Sequence, residues 1–591
     1  MMWARKSKSQ SDSVNLQAGA NSQYKAPAWR LAPSLLSLIP LQQAGKFWLF
    51  FASFWAFTAA CWAAPSIPQA LRDKSLIYCT NISGFSFNPQ KADIGTNMNV
   101  VTEQIYDKLL DLDPQTQALK PALAETFSLS EDGLTITLNL RRKVAFHNTE
   151  WFTPTRDFNA EDVIFSLNRA MGKADDLPAL NRASQEGQIY HRQQSDVYQR
   201  LASRTHSPYF ESVALESKIA RIYAPHAHQV KIELVKPDRA FLAHLASQYA
   251  VILSKEYALQ LNADNNLPQL DLLPVGTGVY RLQSYVPNEY VRLHPHQGYW
   301  GKPAKVANMI VDFSADGTGR MAKFLNNECD LAAFPEPSQL STLKEGHLIS
   351  NKGANLAYLA FNFQQERMQD INLRQHIAQA INRERLASLN FYGQAEVAQN
   401  VLPQALWPEK NPASYAHLPQ NLKLDKPLRL WVIDEKRVYN LHPLKMAELI
   451  RADLVRAGLK VEVRQVSRAY LVQQLATGQA NYDMILGGWL ATNFDPLSFL
   501  SPLLACQAQQ SVTNLANWCH LEFDRLLQDA ESSPDPLQGQ LIYQVMQRLL
   551  QEELPILPLV HANRLLIAKE RVHKAHISPF GQVNLAELEW K

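Results

Sequence analysis

The sequence predicts an α/β fold in several lobes, and three observations carry that reading. Strand and helix signals alternate along the body without a low-complexity linker or an internal repeat; 591 residues far exceed a usual single domain; and 46% hydrophobic content is ample for sizeable cores.

In chain order, Asp132-Gly133 lies between Ala124–Leu129 and the alternating run Thr135–Leu140, and Asp-Gly between such runs predicts a hairpin with one buried face. Asn159 precedes AEDVIFSL, where a capping side chain, early acids and apolar residues at helical spacing predict an amphipathic helix. Residues 373–386 and 444–454 predict further helices. Gly458 and the alternating run 461–466 make the second of these a helix–strand unit suited to a parallel sheet. Met484-Ile485-Leu486 reads as a short buried strand that breaks into a loop at Gly487-Gly488. Trp489 then offers a rigid aromatic face, and Asp495 before Pro496 fixes a turn that carries a carboxylate, so 487–496 is a candidate site.

The formal net charge of +3 is an N-terminal property, because residues 1–63 hold six cations and one acid and the rest carries −2. Neither a basic stripe nor an aromatic-plus-arginine motif is present, which argues against nucleic acid as a partner. A cationic, serine-rich segment precedes the apolar run FWLFFASFWAFTAACWAA at 47–64, an order that predicts a signal peptide, residues 1–63, cleaved after Ala63. An uncleaved anchor is the competing reading, because an apolar run of this length reaches the short edge of a spanning helix. Export leaves Cys79, Cys329, Cys506 and Cys519, an even number suited to an oxidising compartment. Cys506 and Cys519 bracket one polar loop and form the natural local bridge, which leaves Cys79 with Cys329. With no CxxC and no HExxH, neither a metal nor another cofactor is expected; His226/His228 and His294/His296 read as solvated loop or strand residues.

Several blocks in order resemble the periplasmic dipeptide/oligopeptide-binding proteins of ABC importers: FNPQ (87–90), QIYDKLLDLDP (104–114), FTPTRDFNAEDVIFSLNRA (152–170), PVGTGVY (274–280), GYW (298–300) and LAFNF (359–363). GTGRMAKFLNNECDLAAFPEPSQLSTL (317–343), ELPILPL (553–559) and SPFGQVN (578–584) resemble the Sap branch, named for sensitivity to antimicrobial peptides. Val279 stands where proline is usual in the family's GTGPY turn. The resemblance implies a two-lobed periplasmic binding protein with mixed sheets, a hinge crossed twice near Asn355 and Asn563, and a ligand cleft between the lobes. Lobe I would comprise 64–355 and a C-terminal return, 564–591, with lobe II at 356–563 and one disulfide in each.

The same resemblance implies a noncatalytic, monomeric receptor in the periplasm that captures peptides and delivers them to an inner-membrane ABC permease. An extended peptide would pair its backbone with protein strands while its side chains enter roomy pockets. In dipeptide-binding relatives an arginine before Tyr-Asn holds the peptide carboxylate, and an aspartate after a Gly-Trp pair holds the ammonium. The first position falls on Arg437, with Asp434 and Glu435 as competing partners; the second falls on Thr492, which leaves Asp495 as the nearby acid. The ligand-binding candidates are therefore Arg437, Gly487, Gly488, Trp489, Thr492 and Asp495. The polar segment 172–204 is longer than the relatives lead one to expect and reads as a lid, a permease-docking surface or a solvated helical excursion. Two other functions stay open: a receptor of this fold for haem or a metal chelate, and an exported peptidase, although no GxSxG elbow is present.

Overall fold

The computed structural model describes residues 67–81, 87–91, 100–113, 118–172, 207–238, 240–314, 316–407, 424–491, 493–509, 511–533 and 536–590. The signal expectation at 1–63, all but the first residue of the 172–204 segment, and Thr492 lie outside them. Among the described residues no helix is long and apolar enough to cross a membrane.

Two large mixed sheets organise the chain from Ile67 onward. The first has seven strands in the order His347–Asn351, Arg564–Ala568, Leu331–Ala333, Leu76–Thr80, Met309–Phe313, Tyr290–Pro295, Tyr280–Val286; its centre is parallel and its flanks antiparallel. The second has six, in the order Ala395–Val397, Ile556–Ala562, Asn355–Phe361, Met484–Leu490, Leu428–Ile433, Val461–Val466. Both sheets are covered on both faces, so their central strands read as continuous apolar runs rather than alternating ones. In Asn355–Phe361, for instance, Leu356, Tyr358 and Ala360 join one core while Ala357, Leu359 and Phe361 join another.

Smaller elements follow from local chemistry. The Asp-Gly hairpin forms between Ala124–Leu129 and Thr135–Leu140, with Gly133 at φ +70°, inside a four-stranded sheet beside the first. Asn159 caps the helix Ala160–Ala170 in a reciprocal box with Asp162. The stretch expected as one helix at 373–386 is two, Ile371–Ala380 and Arg383–Phe391, because the side chain of Asn382 accepts the Arg385 N–H at 2.8 Å and starts a new helix there. The helix Pro443–Arg456 ends before Gly458, at φ +87°, and Val461–Val466 returns parallel to Leu428–Ile433.

Three of the blocks that carried the resemblance turn out to be framework. Asp107 accepts hydrogen bonds from Thr277 Oγ1 (2.9 Å) and Trp300 Nε1 (2.8 Å), so that QIYD, GTG and GYW meet on one carboxylate. Glycine is required at 276 and 278 because a Cβ there would fall 2.0 Å from Ile105 O and 2.4 Å from Gln104 O. Val279 in place of proline is simply buried in the core beside them. His296 corrects an expectation: it is buried, 3.2 Å from Ala145 O, with its ring edge-on to His147 at 4.8 Å. Burial lowers the pKa of both rings, to about 3 for His147, so they pack as neutral imidazoles.

Cys79 is bonded to Cys329 and Cys506 to Cys519, so each bridge stays on one side of the molecule. The chain passes between the sheets twice. It leaves the first after Asn351 and enters the second at Asn355, and it leaves the second after Ala562 and re-enters the first at Arg564. The buried Asn355 side chain ties the crossings together: its Nδ2 donates to Ala562 O (2.7 Å) and its Oδ1 accepts Ala562 N–H (3.0 Å). Replacing Asn355 with Ala strands a buried donor and a buried acceptor, and urea unfolding should show a loss of about 2 kcal/mol or more. Unchanged stability would mean that the crossings do not depend on this side chain.

Candidate functional site

Beyond Ile433 the chain turns through Arg437-Val438-Tyr439-Asn440, where the Arg437 N–H donates to Asn440 O (3.0 Å) and the Asn440 N–H to Arg437 O (2.8 Å). This tight turn fixes the Arg437 side chain, which is largely buried and donates through Nη2 (2.6 Å) and Nε (3.1 Å) to Glu435 Oε2. Of the two acids expected to compete for it, Glu435 is the one engaged.

The paired glycines do not break the strand, contrary to the expectation of a loop there. Met484–Leu490 runs straight through them, paired with Asn355–Phe361 from Phe361↔Met484 to Asn355↔Leu490. A Cβ on Gly487 would meet the Tyr358 ring at 2.9 Å, and one on Gly488 would meet the Tyr439 ring at 2.1 Å. The missing side chains are replaced by two tyrosine rings, which keeps the strand packed. Burial raises the pKa of both phenols.

Pairing on the strand's other edge is shorter. Leu428–Ile433 matches only Met484, Ile485 and Leu486, and beyond Leu486 the second edge runs along a cavity of about 350 Å³. Arg437, Gly487, Gly488 and Trp489 all line this cavity, so the structure gathers four of the six candidates. Trp489 contributes from a mostly buried position, 7% exposed. Sequence reasoning missed Tyr358, Arg468 and Thr513 in the same wall. Thr513 belongs to the loop closed by Cys506–Cys519, and Arg468 opens the helix Arg468–Ala476; no local pattern tied either to the glycines. Arg437 and Glu435 also line a second cavity, of about 300 Å³, whose opposite wall comes from the first lobe through Arg320, Phe334 and Glu336.

Asp495 is not among the residues lining either cavity. It caps the helix Pro496–Leu504 by accepting the Leu497 N–H (3.3 Å), and Tyr543 donates to the same Oδ1 (3.4 Å), while Oδ2 is shielded without a partner. Burial pushes its pKa up to about 6, against the cap hydrogen bond from Leu497 and with Asp238 adding to the rise. Among the described residues no group of three or more His, Cys, Asp or Glu is gathered to hold a metal ion.

Residues 118–511 match the family described as bacterial extracellular solute-binding proteins, family 5. The chain belongs to that family. It is 47% identical to the peptide transport periplasmic protein SapA of Haemophilus influenzae over 89% of this chain and 95% of the relative. It is 37% identical to the probable ABC transporter periplasmic-binding protein SapA of Escherichia coli, over 89% and 94%. Among solved structures it is similar to a Pseudoalteromonas dipeptide-binding protein in complex with Met-Leu, at 33% identity and TM-score 0.74, covering 88% of this chain and 100% of that one. HbpA2 of Haemophilus parasuis follows at 27% and 0.71, with the same coverage. The fold of this family 5 protein is therefore the two-lobed periplasmic one, with a cleft between lobes and a hinge crossed twice. Its family comprises solute-binding proteins rather than enzymes, and its relatives are periplasmic.

Two outcomes follow from this geometry. Gly488→Ala drives a methyl into the Tyr439 ring and should cost about 1–3 kcal/mol in urea unfolding, part of it recovered when Tyr439→Ala is added; equal losses in the single and double variants would place the strain elsewhere. Asp495 has its folded pKa raised above the unfolded value, so the stability it favours is present below the unfolded pKa and is lost as pH rises through about 6. Asp495→Asn keeps the capping oxygen without the charge and should stabilise the protein at pH 7.5 by roughly 3 kcal/mol at most, with about 1 kcal/mol of that gain left at pH 4.5. A gain independent of pH would contradict the shift.

Proposed function

We propose that the chain is a periplasmic receptor that captures peptides in the cleft and hands them to the inner-membrane permease of a Sap-type ABC importer. The observation that carries this reading is the open edge of the strand beyond Leu486. Backbone groups along that edge border a cavity that also holds a largely buried arginine, and this is what a sequence-tolerant receptor for extended peptides requires. Main-chain pairing supplies affinity independent of side chains, and Arg437 supplies the anchor for the peptide carboxylate in exchange with Glu435. The relatives named for peptide transport and the dipeptide complex support the same cargo.

The receptor reaches the periplasm through its N-terminal segment and works as a monomer that does no chemistry on its cargo. Thr492, at the position where dipeptide-binding relatives hold the ammonium, carries no negative charge, so the cargo does not need a free amino terminus.

Calorimetry with matched tripeptides tests the anchor. The wild type should bind the free acid about tenfold tighter than its C-terminal amide, and Arg437→Ala should erase that difference with a loss of about 2 kcal/mol for the acid. Glu435→Gln, which removes the internal competitor, should widen the difference. Equal binding of acid and amide by the wild type would make Arg437 a structural ion-pair residue and not the carboxylate anchor. A haem absorbance band in the purified protein would overturn the peptide reading.

A further inference from the structure

The second cavity has a wall that peptide anchoring alone does not use. Phe334 lies there with φ +50°, in the left-handed region, where a bulky side chain is strained and persists only if its surroundings hold it. They do. The Phe334 N–H donates to Leu565 O (2.9 Å), and Arg320 donates to Ala333 O (2.8 Å), Phe334 O (2.8 Å) and Ser314 O (2.9 Å). Arg320 is 5% exposed, and its guanidinium is committed to carbonyls, so it works as a backbone clamp.

With the backbone held in this way, Phe334, half-buried against the first-lobe core, lines the cavity together with Pro335, Pro337, Phe391, Val438 and Leu441. Charged groups around these apolar residues already have partners. Asp316 accepts the Gly319 N–H (2.6 Å) at the start of the helix Gly317–Leu325, Glu336 meets His442 Nε2 (3.3 Å), and Glu435 holds Arg437. Lys436 is exposed. The first-lobe wall, from Asp316 to Pro337, falls almost entirely within the block 317–343.

Arg437 is common to this cavity and to the one along the strand edge. A peptide whose carboxylate sits on Arg437 and whose backbone follows residues 487–490 carries its last side chain one carbon from that carboxylate, beside the Phe334 wall. Resting on the peptide reading above, we propose that the Phe334 cavity receives the side chain of the carboxyl-terminal residue and selects large apolar side chains there.

The test is calorimetry with Ala-Ala-Ala, Ala-Ala-Phe, Ala-Ala-Glu and Phe-Ala-Ala. Wild type should bind Ala-Ala-Phe about tenfold or more tighter than Ala-Ala-Ala, the scale expected for burying one large apolar side chain. Phe334→Ala should bring that ratio to about twofold or less while leaving the ratio of Phe-Ala-Ala to Ala-Ala-Ala unchanged. Phe334→Gly loses the same ring but also the backbone strain that Ala keeps, so it should be more stable than Phe334→Ala and lose the same preference, which separates lost selectivity from lost folding. A preference for Ala-Ala-Phe that survives both variants, or a wild-type preference for Ala-Ala-Glu, overturns the inference. Arg437→Ala distinguishes the levels: if it leaves all affinities intact, the carboxylate anchor is wrong; if it abolishes binding while the wild-type Phe-to-Ala ratio stays near one, only the Phe334 assignment is wrong.

Discussion

The two crossings between sheets, held side by side by Asn355, are the constraint on which the rest of the structure depends. Its amide bonds both polar groups of Ala562, doing for a single residue what a strand ladder does for many, and His561 Nδ1 lies 2.7 Å from the Asn355 carbonyl. A Cβ on Gly353 would fall 2.2 Å from Ala562 O, so the first crossing has to be made without side-chain bulk. Asn563, in the second crossing, and Leu565, just beyond it, line the cavity shared by Phe334 and Arg437. The placement of one wall of the cleft against the other is therefore set by a few buried atoms.

Besides this backbone clasp, the lobes meet through a small apolar seam, in which Ala240 and Phe580 of the first lobe join the second lobe's core and Phe580 packs edge-on to Phe494 at 4.4 Å, and through ion pairs. Lys218 binds Asp238 (2.6 Å) on its own lobe and Glu531 across the gap, Lys236 lies 3.4 Å from Glu531, and His442 reaches Glu336. Burial alone would lower the pKa of Lys218, but Asp238 and Glu531 outweigh it and raise the pKa instead. Partly exposed pairs such as Lys236–Glu531 contribute about 1 kcal/mol or less each. By contrast, burying one Leu or Phe side chain within a lobe contributes about 1.5–3 kcal/mol. The ion pairs between the lobes are thus weaker than the packing within each, and neither disulfide spans the gap to hold the lobes together covalently.

Much of the fold was legible because it is written in local patterns: the Asp-Gly hairpin, the Asn159 cap and the helix–strand unit ending at Gly458 follow from short-range chemistry. The disulfide pairing followed from one short polar loop and the remainder. What failed depended on partners distant in sequence. Gly487-Gly488 looked like a strand end because glycine has no side chain to pack, and only the Tyr358 and Tyr439 rings, supplied from elsewhere, show why the strand continues. His296 looked solvated until His147 and Ala145 were brought beside it. Arg437 was flagged through a three-residue resemblance, whereas Arg468, Thr513 and the Phe334 wall carried no signal that linked them to it.

The pairing of Arg437 with Glu435 bears on how a receptor both binds and releases. A guanidinium in a largely buried position without an anion would be strongly unfavourable, and Glu435 removes that cost when the cleft is empty. In the proposed reading a peptide carboxylate replaces an existing partner instead of filling a void, so the net gain is the difference between two ion pairs. Affinity is thereby capped, and the remainder has to come from backbone pairing along the strand edge and from side-chain burial. Both of those terms weaken as the lobes separate, whereas Glu435 stays beside Arg437 on the same turn. Opening therefore removes the peptide's contributions while the internal anion retakes the arginine, which favours transfer over retention.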